Sequence, residues 1–390
     1  MNAVLLNKMQ PKVFKLLGCL SFCLLLVNTS ATAVTKESIF GQGLVFGDKE
    51  SSYYMKFSAR LQSRYDGTFL ESSDPGFTDK FQFRRARLKF DGFAFSPKLV
   101  YKIEYDVVNS QMLDAVIKWN FAGNFNFWIG QTKLPGNRER VISSQKLQFV
   151  DRSLLNSKFN IDRDKGIQLR HHFNSGDMLI REAFSISYGE GRKFSGNDDA
   201  SGYDYTGRVE LLPFGKFSAK GDYFSADLKR EAQPKLAFGL TYDYNDDALK
   251  SRGQLGSTLS ESRDLSSVFV DMMYKYQGWS VMAEYANKRV ANGSAAIFDT
   301  EGDLMESFYT GTAVNAQVGY LFQNNWEVSG RFTDINPEKI TENNDLRQYT
   351  VGLSRYIVGH NLKVQSDVSL LQEQSKNNKY IVRLQLELAF

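Results

Sequence analysis

Cysteine is almost missing from this 390-residue chain, and the only two, Cys19 and Cys23, lie close to its start. A disulfide scaffold, a Cys-ligated metal and thiol catalysis are therefore excluded from everything downstream. Histidine is nearly as scarce: His171, His172 and His360 are the whole supply. None falls in a metal-binding pair or a nucleophile–base motif, and no Gly-rich phosphate loop occurs, so neither an enzyme nor a cofactor is expected. After residue 27 no apolar run is long enough for a membrane-spanning helix. Helical periodicity is sparse as well, and only 7 Pro interrupt the chain. The acidic stretches Asn197-Asp198-Asp199 and Asn245-Asp246-Asp247 read as solvated turns, with a divalent cation as the alternative occupant.

Aromatic residues, by contrast, are abundant: 30 Phe and 19 Tyr stand in a chain that is also 24% charged. Such a mixture suits a surface that alternates between lipid and water. The first residues read as an export leader. Lys8, Lys12 and Lys15 precede the apolar run Val13–Val27, and Ala31-Thr32-Ala33 supplies the small residues of a cleavage site. Residues 1–33 are thus expected to be removed. Lipidation at Cys19 is a weaker alternative, because the apolar run continues past it. Since the leader holds three Lys, the remainder is close to neutral despite the overall charge of +4, and any preference for ions of one sign must come from where charges sit.

Alternation with a period of two recurs in segments of about ten residues, the mark of strands with two unlike faces. The C-terminus is clearest: Tyr380, Val382, Leu384, Leu386, Leu388 and Phe390 oppose Ile381, Arg383, Gln385, Glu387 and Ala389. Similar faces are Tyr53–Leu61, Leu99–Val107, Leu113–Phe121 (Leu113, Ala115, Ile117, Trp119), Leu236–Tyr244, Val268–Tyr276 and Leu362–Leu370. Tight turns (96–98, 122–124, 174–177, Pro213-Phe214-Gly215-Lys216, 277–278, 323–325, 359–361) alternate with long polar segments (66–80, 132–165, 190–202, 290–306, 335–346). Aromatics at strand ends, among them Tyr53, Tyr65, Trp119, Trp128, Trp279 and Trp326, suggest interfacial girdles. The pattern predicts a transmembrane antiparallel β-barrel over 53–390, preceded by a short segment, 34–52. About 17 strand-like segments are visible. An even number is required, so 16 is preferred and 18 is the alternative. The up-down alternation breaks between 217 and 266, where 245–265 is either a long turn or hides a strand.

Two basic clusters stand out. In Phe81–Gly92 the apolar face changes phase at Arg84-Arg85, which predicts a bulge and sends Arg84, Arg85, Arg87 and Lys89 towards water, with Glu104 and Asp106 as possible partners. The connection 129–166 carries Lys133, Arg138, Arg140, Lys146, Arg152, Lys158, Arg163 and Lys165 against Glu139, Asp151, Asp162 and Asp164. A long loop folded into a barrel would place these cations in a constriction and concentrate anions there; a solvated outer loop facing lipopolysaccharide phosphates is the alternative.

These same segments resemble a known family, the phosphate-selective porins O and P. The likeness lies in Phe81–Leu88, Gly130-Gln131-Thr132-Lys133-Leu134-Pro135, Arg138-Glu139-Arg140, Phe149–Ser153, Arg163-Asp164-Lys165-Gly166 and the terminal strand. Gly136 departs from it, standing where an aromatic commonly follows the proline. The resemblance implies a 16-stranded, usually trimeric outer-membrane porin of a Gram-negative bacterium. Its loops fold inwards, and Arg and Lys guide small anions such as phosphate or related oxyanions by passive diffusion. Expected partners are those solutes, lipopolysaccharide and outer-membrane lipid, the outer-membrane assembly machinery reading Phe390, and two further copies of the chain. A non-transport barrel, adhesin or hydrolase, is the alternative function.

Overall fold

Side chains that alternate along the chain give strands with one apolar and one polar face, and such strands satisfy their backbone in a membrane only by closing on themselves. A computed structural model describes residues 39–48, 50, 52–72, 76–192 and 202–390; the expected leader and Asn197-Asp198-Asp199 lie outside them. The strands are β1 (Leu44–Gly47), β2 (Tyr53–Leu70), β3 (Phe77–Ala94), β4 (Leu99–Asp106), β5 (Gln111–Trp119), β6 (Phe125–Lys133), β7 (Arg163–Ser175), β8 (Met178–Ser187), β9 (Asp204–Leu212), β10 (Lys235–Lys250), β11 (Thr258–Tyr276), β12 (Trp279–Val290), β13 (Ala296–Phe298), β14 (Leu304–Ser307), β15 (Gly311–Leu321), β16 (Trp326–Pro337), β17 (Leu346–Val358), β18 (Leu362–Glu373) and β19 (Lys379–Ala389).

Strands β13 and β14 form a separate hairpin, and the main sheet has 17 strands, of which β1 is a stub; the other 16 close into an antiparallel barrel. Closure runs from Lys379 opposite Leu70 to Ala389 opposite Arg60. Phe390 then exchanges two backbone hydrogen bonds with Ala59, 2.8 and 2.9 Å long. Beyond that point β1 takes over the free stretch of β2, with Leu44 opposite Phe57 and Gly47 opposite Tyr54, so the expected segment 34–52 contributes a strand of its own.

Burial follows sequence parity. On β9, Tyr205, Val209 and Leu211 are exposed while Asp204, Thr206, Arg208 and Glu210 are buried; on β19, Val382, Leu384 and Leu386 are exposed while Gln385 and Glu387 are buried. An exposed apolar face over a buried charged one is the reverse of a water-soluble protein and is what a lipid-facing wall requires. Two of the register shifts bear on the expected faces. Opposite Gln62 and Ser63 stand Arg85 and Phe83, leaving Arg84 as the extra residue, where the sequence predicts it. The second overturns an expectation: the register slips between Glu104 and Tyr105, which face Asp114 and Met112. Leu113 is therefore turned inwards and buried, and Met112 takes the outer face.

The break in the up-down alternation has a simple cause. A turn does form at Gly215, whose N–H donates to the Leu212 carbonyl, but no strand follows it. Residues 213–234 form a long connection at the tight-turn end, with Ala219 and Lys220 in left-handed conformations (φ 51° and 59°) that end any strand. Segment 245–265 then divides between β10 and β11 about a turn at 251–257, with no hidden strand.

Candidate functional site

The barrel's inner wall has two unlike halves. On β11, β12, β15 and β16 it carries an apolar band, Phe269, Met273, Met282, Ala286, Ala313 and Ile335, interleaved with buried charges such as Asp271, Lys275, Glu284 and Lys288. On β3 to β9 it is charged. The connection 134–162 folds inwards and covers the apolar band. It begins with a pinch: a Cβ on Gly136 would stand 2.8 Å from Cβ of Ile161. The position that departs from the family pattern is thus where the loop's two ends pass too closely for a side chain. Two short helices follow, α1 (Arg138–Val141) and α2 (Leu154–Phe159), the second capped by Ser153, whose hydroxyl accepts from the Asn156 N–H at 3.1 Å. Leu134, Leu155, Phe159 and Ile161 pack on Phe269, Ala286, Tyr309, Ala313 and Ile335. Ile142 and Leu147 pack with Met273, Met282, Leu179, Leu212 and Phe217. Each such side chain contributes about 1.5–3 kcal/mol on full burial, enough in sum to hold the loop against one wall.

Between the loop and the opposite wall lies a cavity of about 770 Å³. Thirteen Lys and Arg side chains and four carboxylates line it. Of the residues singled out from sequence, Arg87, Lys133, Arg140, Lys146, Arg152 and Arg163 line this cavity. Lys133 donates to the carbonyls of Arg140, Val141 and Ile142 at 2.7, 3.0 and 3.1 Å, tying the end of α1. Arg152 donates to the carbonyls of Glu139 and Ile142. Arg163 grips Asp114 through two nitrogens at 3.1 and 3.2 Å. Arg140 pairs with Asp162, and Arg87 with Glu104 at 3.0 Å.

Others lie elsewhere. Arg84 and Arg85, with Arg64, converge on Asp151 of the loop at 3.4, 3.2 and 2.8 Å, so the bulge on β3 staples the loop to the wall. Lys89 pairs with Asp91 at 2.6 Å. Arg138 is fully buried, held by Asp271 at 2.6 Å and Glu210 at 3.4 Å. Lys158 sits over the Tyr309 ring, away from the cavity. Sequence reading passed over Lys102, Lys118, Arg170, Arg181, Arg208, Lys216, Lys220 and Trp128, all of which line the cavity. Parity along β6 could have found Trp128. Its neighbour Ile129 faces lipid at 50% exposure, so Trp128 points inwards, not into a girdle as expected. Trp119, Trp279 and Trp326 do stand exposed at the tight-turn end. His172 lies on the inward face with Arg170, whereas His171 stacks on Phe125 at 4.1 Å and pairs with Glu182.

Crowding shapes the loop's charges. Burial, then Arg152 and Arg163, push the Arg140 guanidinium well below its usual range. Burial, then Lys89 and Lys220, bring Lys146 down to about 8. Burial alone would raise Asp151, but Arg85, Arg84 and Arg64 outweigh it and hold the carboxylate well below normal. Among the described residues no cluster of His, Asp and Glu could hold a metal ion.

Comparison with known proteins agrees with this architecture. No curated protein matches the sequence significantly. Among solved structures, OprB of Pseudomonas putida is similar with a TM-score of 0.56 at 9% identity, over 86% of this chain and 94% of that one. The anion-selective porin from Comamonas acidovorans gives 0.53 at 9% identity, over 86% and 100%. The outer membrane channel DcaP of Acinetobacter baumannii gives 0.51 at 12% identity, over 86% and 97%. At such identities the likeness is one of fold. The sequence profile described as phosphate-selective porin O and P matches residues 55–390, nearly the whole barrel, and the chain belongs to that family.

Proposed function

We propose that the protein is a passive outer-membrane channel for small anions in a Gram-negative bacterium. The observation that carries this reading is the cavity between the inward loop and the β3–β9 wall, where Lys and Arg outnumber carboxylates thirteen to four. A positive field in a narrow, low-dielectric passage raises the local concentration of anions and repels cations. Arg forks suit the paired oxygens of phosphate and related oxyanions. The family's description and the anion-selective relative support the same solute class. On this reading Arg87, Lys133, Arg140, Lys146, Arg152 and Arg163 meet the passing anion, while Arg84, Arg85, Arg138 and their carboxylates hold the loop in place. Residues 1–33 act as the cleaved leader, Phe390 serves the assembly machinery, and the barrel assembles as a homotrimer, as the trimer form of a similar barrel does. No chemical step is required of any side chain.

Purified protein in planar bilayers tests this directly. The expected result is discrete conductance steps with a reversal potential favouring Cl⁻ over K⁺. Cation selectivity would remove the anion assignment, and the lack of any steps would remove the channel itself.

A further inference from the structure

The cations that line the cavity are not alike. Arg163, Arg87 and Arg208 are each matched by a carboxylate, Asp114, Glu104 and Asp271 respectively. Nearer the tight-turn end stand Lys118, Arg170 and Lys146, for which no ion pair occurs among the described residues. Each rests on an aromatic ring instead. Lys118 Nζ is 3.8 Å and Arg170 Cζ 4.3 Å from the centre of the Trp128 ring, and Lys146 Nζ is 3.7 Å from that of Phe224. Arg170 is further fixed by two hydrogen bonds to the Gln168 side-chain oxygen, 3.1 and 2.9 Å. Among the described residues the Trp128 indole N–H has no hydrogen-bond partner. An aromatic face positions a cation without cancelling its charge, so this end of the cavity holds cations outside any ion pair beside flat apolar surface.

We propose that Lys118, Trp128 and Arg170, together with Lys146 and Phe224 lining the same cavity, form a binding station for organic anions that carry a flat unsaturated body, such as aromatic carboxylates. A small inorganic oxyanion would engage the cations and leave the rings unused. An aryl carboxylate uses both, its carboxylate meeting Lys118 and Arg170 and its ring meeting Trp128 or Phe224. The cavity has the size and the mixed lining of small-molecule sites, about 300–1,000 Å³ with apolar walls and a few placed polar groups. The station depends on the channel reading for its route of access, but not for binding itself.

Trp128 supplies the test, since the other three Trp face outwards. The full-length folded protein in detergent is titrated with para-nitrobenzoate, a quencher of indole fluorescence, and then with benzoate, acetate or inorganic phosphate as competitors. Saturable quenching is expected. Benzoate should displace the probe at about a tenth of the acetate or phosphate concentration, the gain expected of one aromatic contact. Lys118→Gln should weaken benzoate and acetate alike, whereas Phe224→Leu should weaken benzoate alone. Heat-modifiable migration reports that each variant is folded, and Lys118→Gln decides the matter if Phe224→Leu does not fold. Equal displacement by acetate and benzoate, quenching that persists unchanged in Trp128→Phe, or no saturable quenching overturns the proposal. Bilayer recordings separate the two readings. Conductance steps without saturable quenching leave the channel and remove the station, while quenching without conductance does the reverse.

Discussion

Arg138 and Lys146 share one loop and one charge, yet their surroundings give them different tasks. Arg138 is sealed between Asp271 and Glu210, and removing one partner of such a buried group costs about 3–5 kcal/mol because the other charges remain desolvated. Arg138→Met is therefore expected to lower the urea midpoint of the folded barrel markedly while moving the reversal potential little; a large change in ion selectivity with unchanged stability would contradict the assignment. Lys146 borders the cavity, and burial with Lys89 and Lys220 nearby brings its pKa to about 8. Below that pH it is an ammonium and above it a neutral amine, so raising the pH removes a positive charge from the passage. The anion preference should accordingly fall between pH 7 and pH 9, and Lys146→Gln should lose that part of the pH dependence. A profile that is flat over this range in the unmodified protein would refute the shift.

At the scale of elements, the loop 134–162 is held by two devices of different kinds. Its apolar residues fill one wall, and its Asp151 collects Arg64, Arg84 and Arg85 from the other side. Phe159→Ala should open a void and weaken docking by about 3–5 kcal/mol, read as noisier single-channel current. Asp151→Asn should act otherwise. It leaves Arg84 and Arg85 without a carboxylate, while Arg64 keeps Asp66 at 2.9 Å, so the anion preference should increase as the loop loosens; a decrease would show that the two are not exposed to the passage. Much of this element was legible in the sequence. Loop length, the excess of cations and the bulge at Arg84 all follow from local pattern. What local pattern could not show is which cations are staples, because the partners are remote: Arg138 and Asp271 lie 133 positions apart. Nor could it place the apolar anchors, since inward Phe269 and Met273 look like ordinary members of an alternating strand until a loop is seen to cover them. Residues 213–234 were misread for a local reason, as the turn at Gly215 is real but the chain leaves the wall after it.

For the whole molecule, the near-neutral composition conceals an asymmetry along the pore axis. Within the cavity, the matched cations lie with the carboxylates of β4, β5 and β9, and Lys133 and Arg152, without an ion pair among the described residues, are tied to carbonyls of the loop; Lys118, Arg170 and Lys146, likewise unmatched, are set towards the tight-turn end, where the connection 213–234 brings Lys216 and Lys220 as well. A passage whose fixed charge is concentrated at one mouth conducts unequally in its two directions, because the counter-ions it accumulates depend on which end feeds it. The effect should be confined to dilute salt, where the screening length is comparable with the pore. That length is about 10 Å in 0.1 M salt and about 3 Å in 1 M. Recordings from singly inserted channels should thus show different currents at opposite voltages of equal size in 0.1 M KCl, and nearly equal ones in 1 M. Lys118→Gln combined with Lys146→Gln should reduce the inequality in dilute salt, whereas Arg138→Met, whose charge never reaches the passage, should leave it in place. Symmetrical currents in dilute salt would mean that the carboxylates of the barrel compensate the tight-turn end at longer range than ion-pair distance.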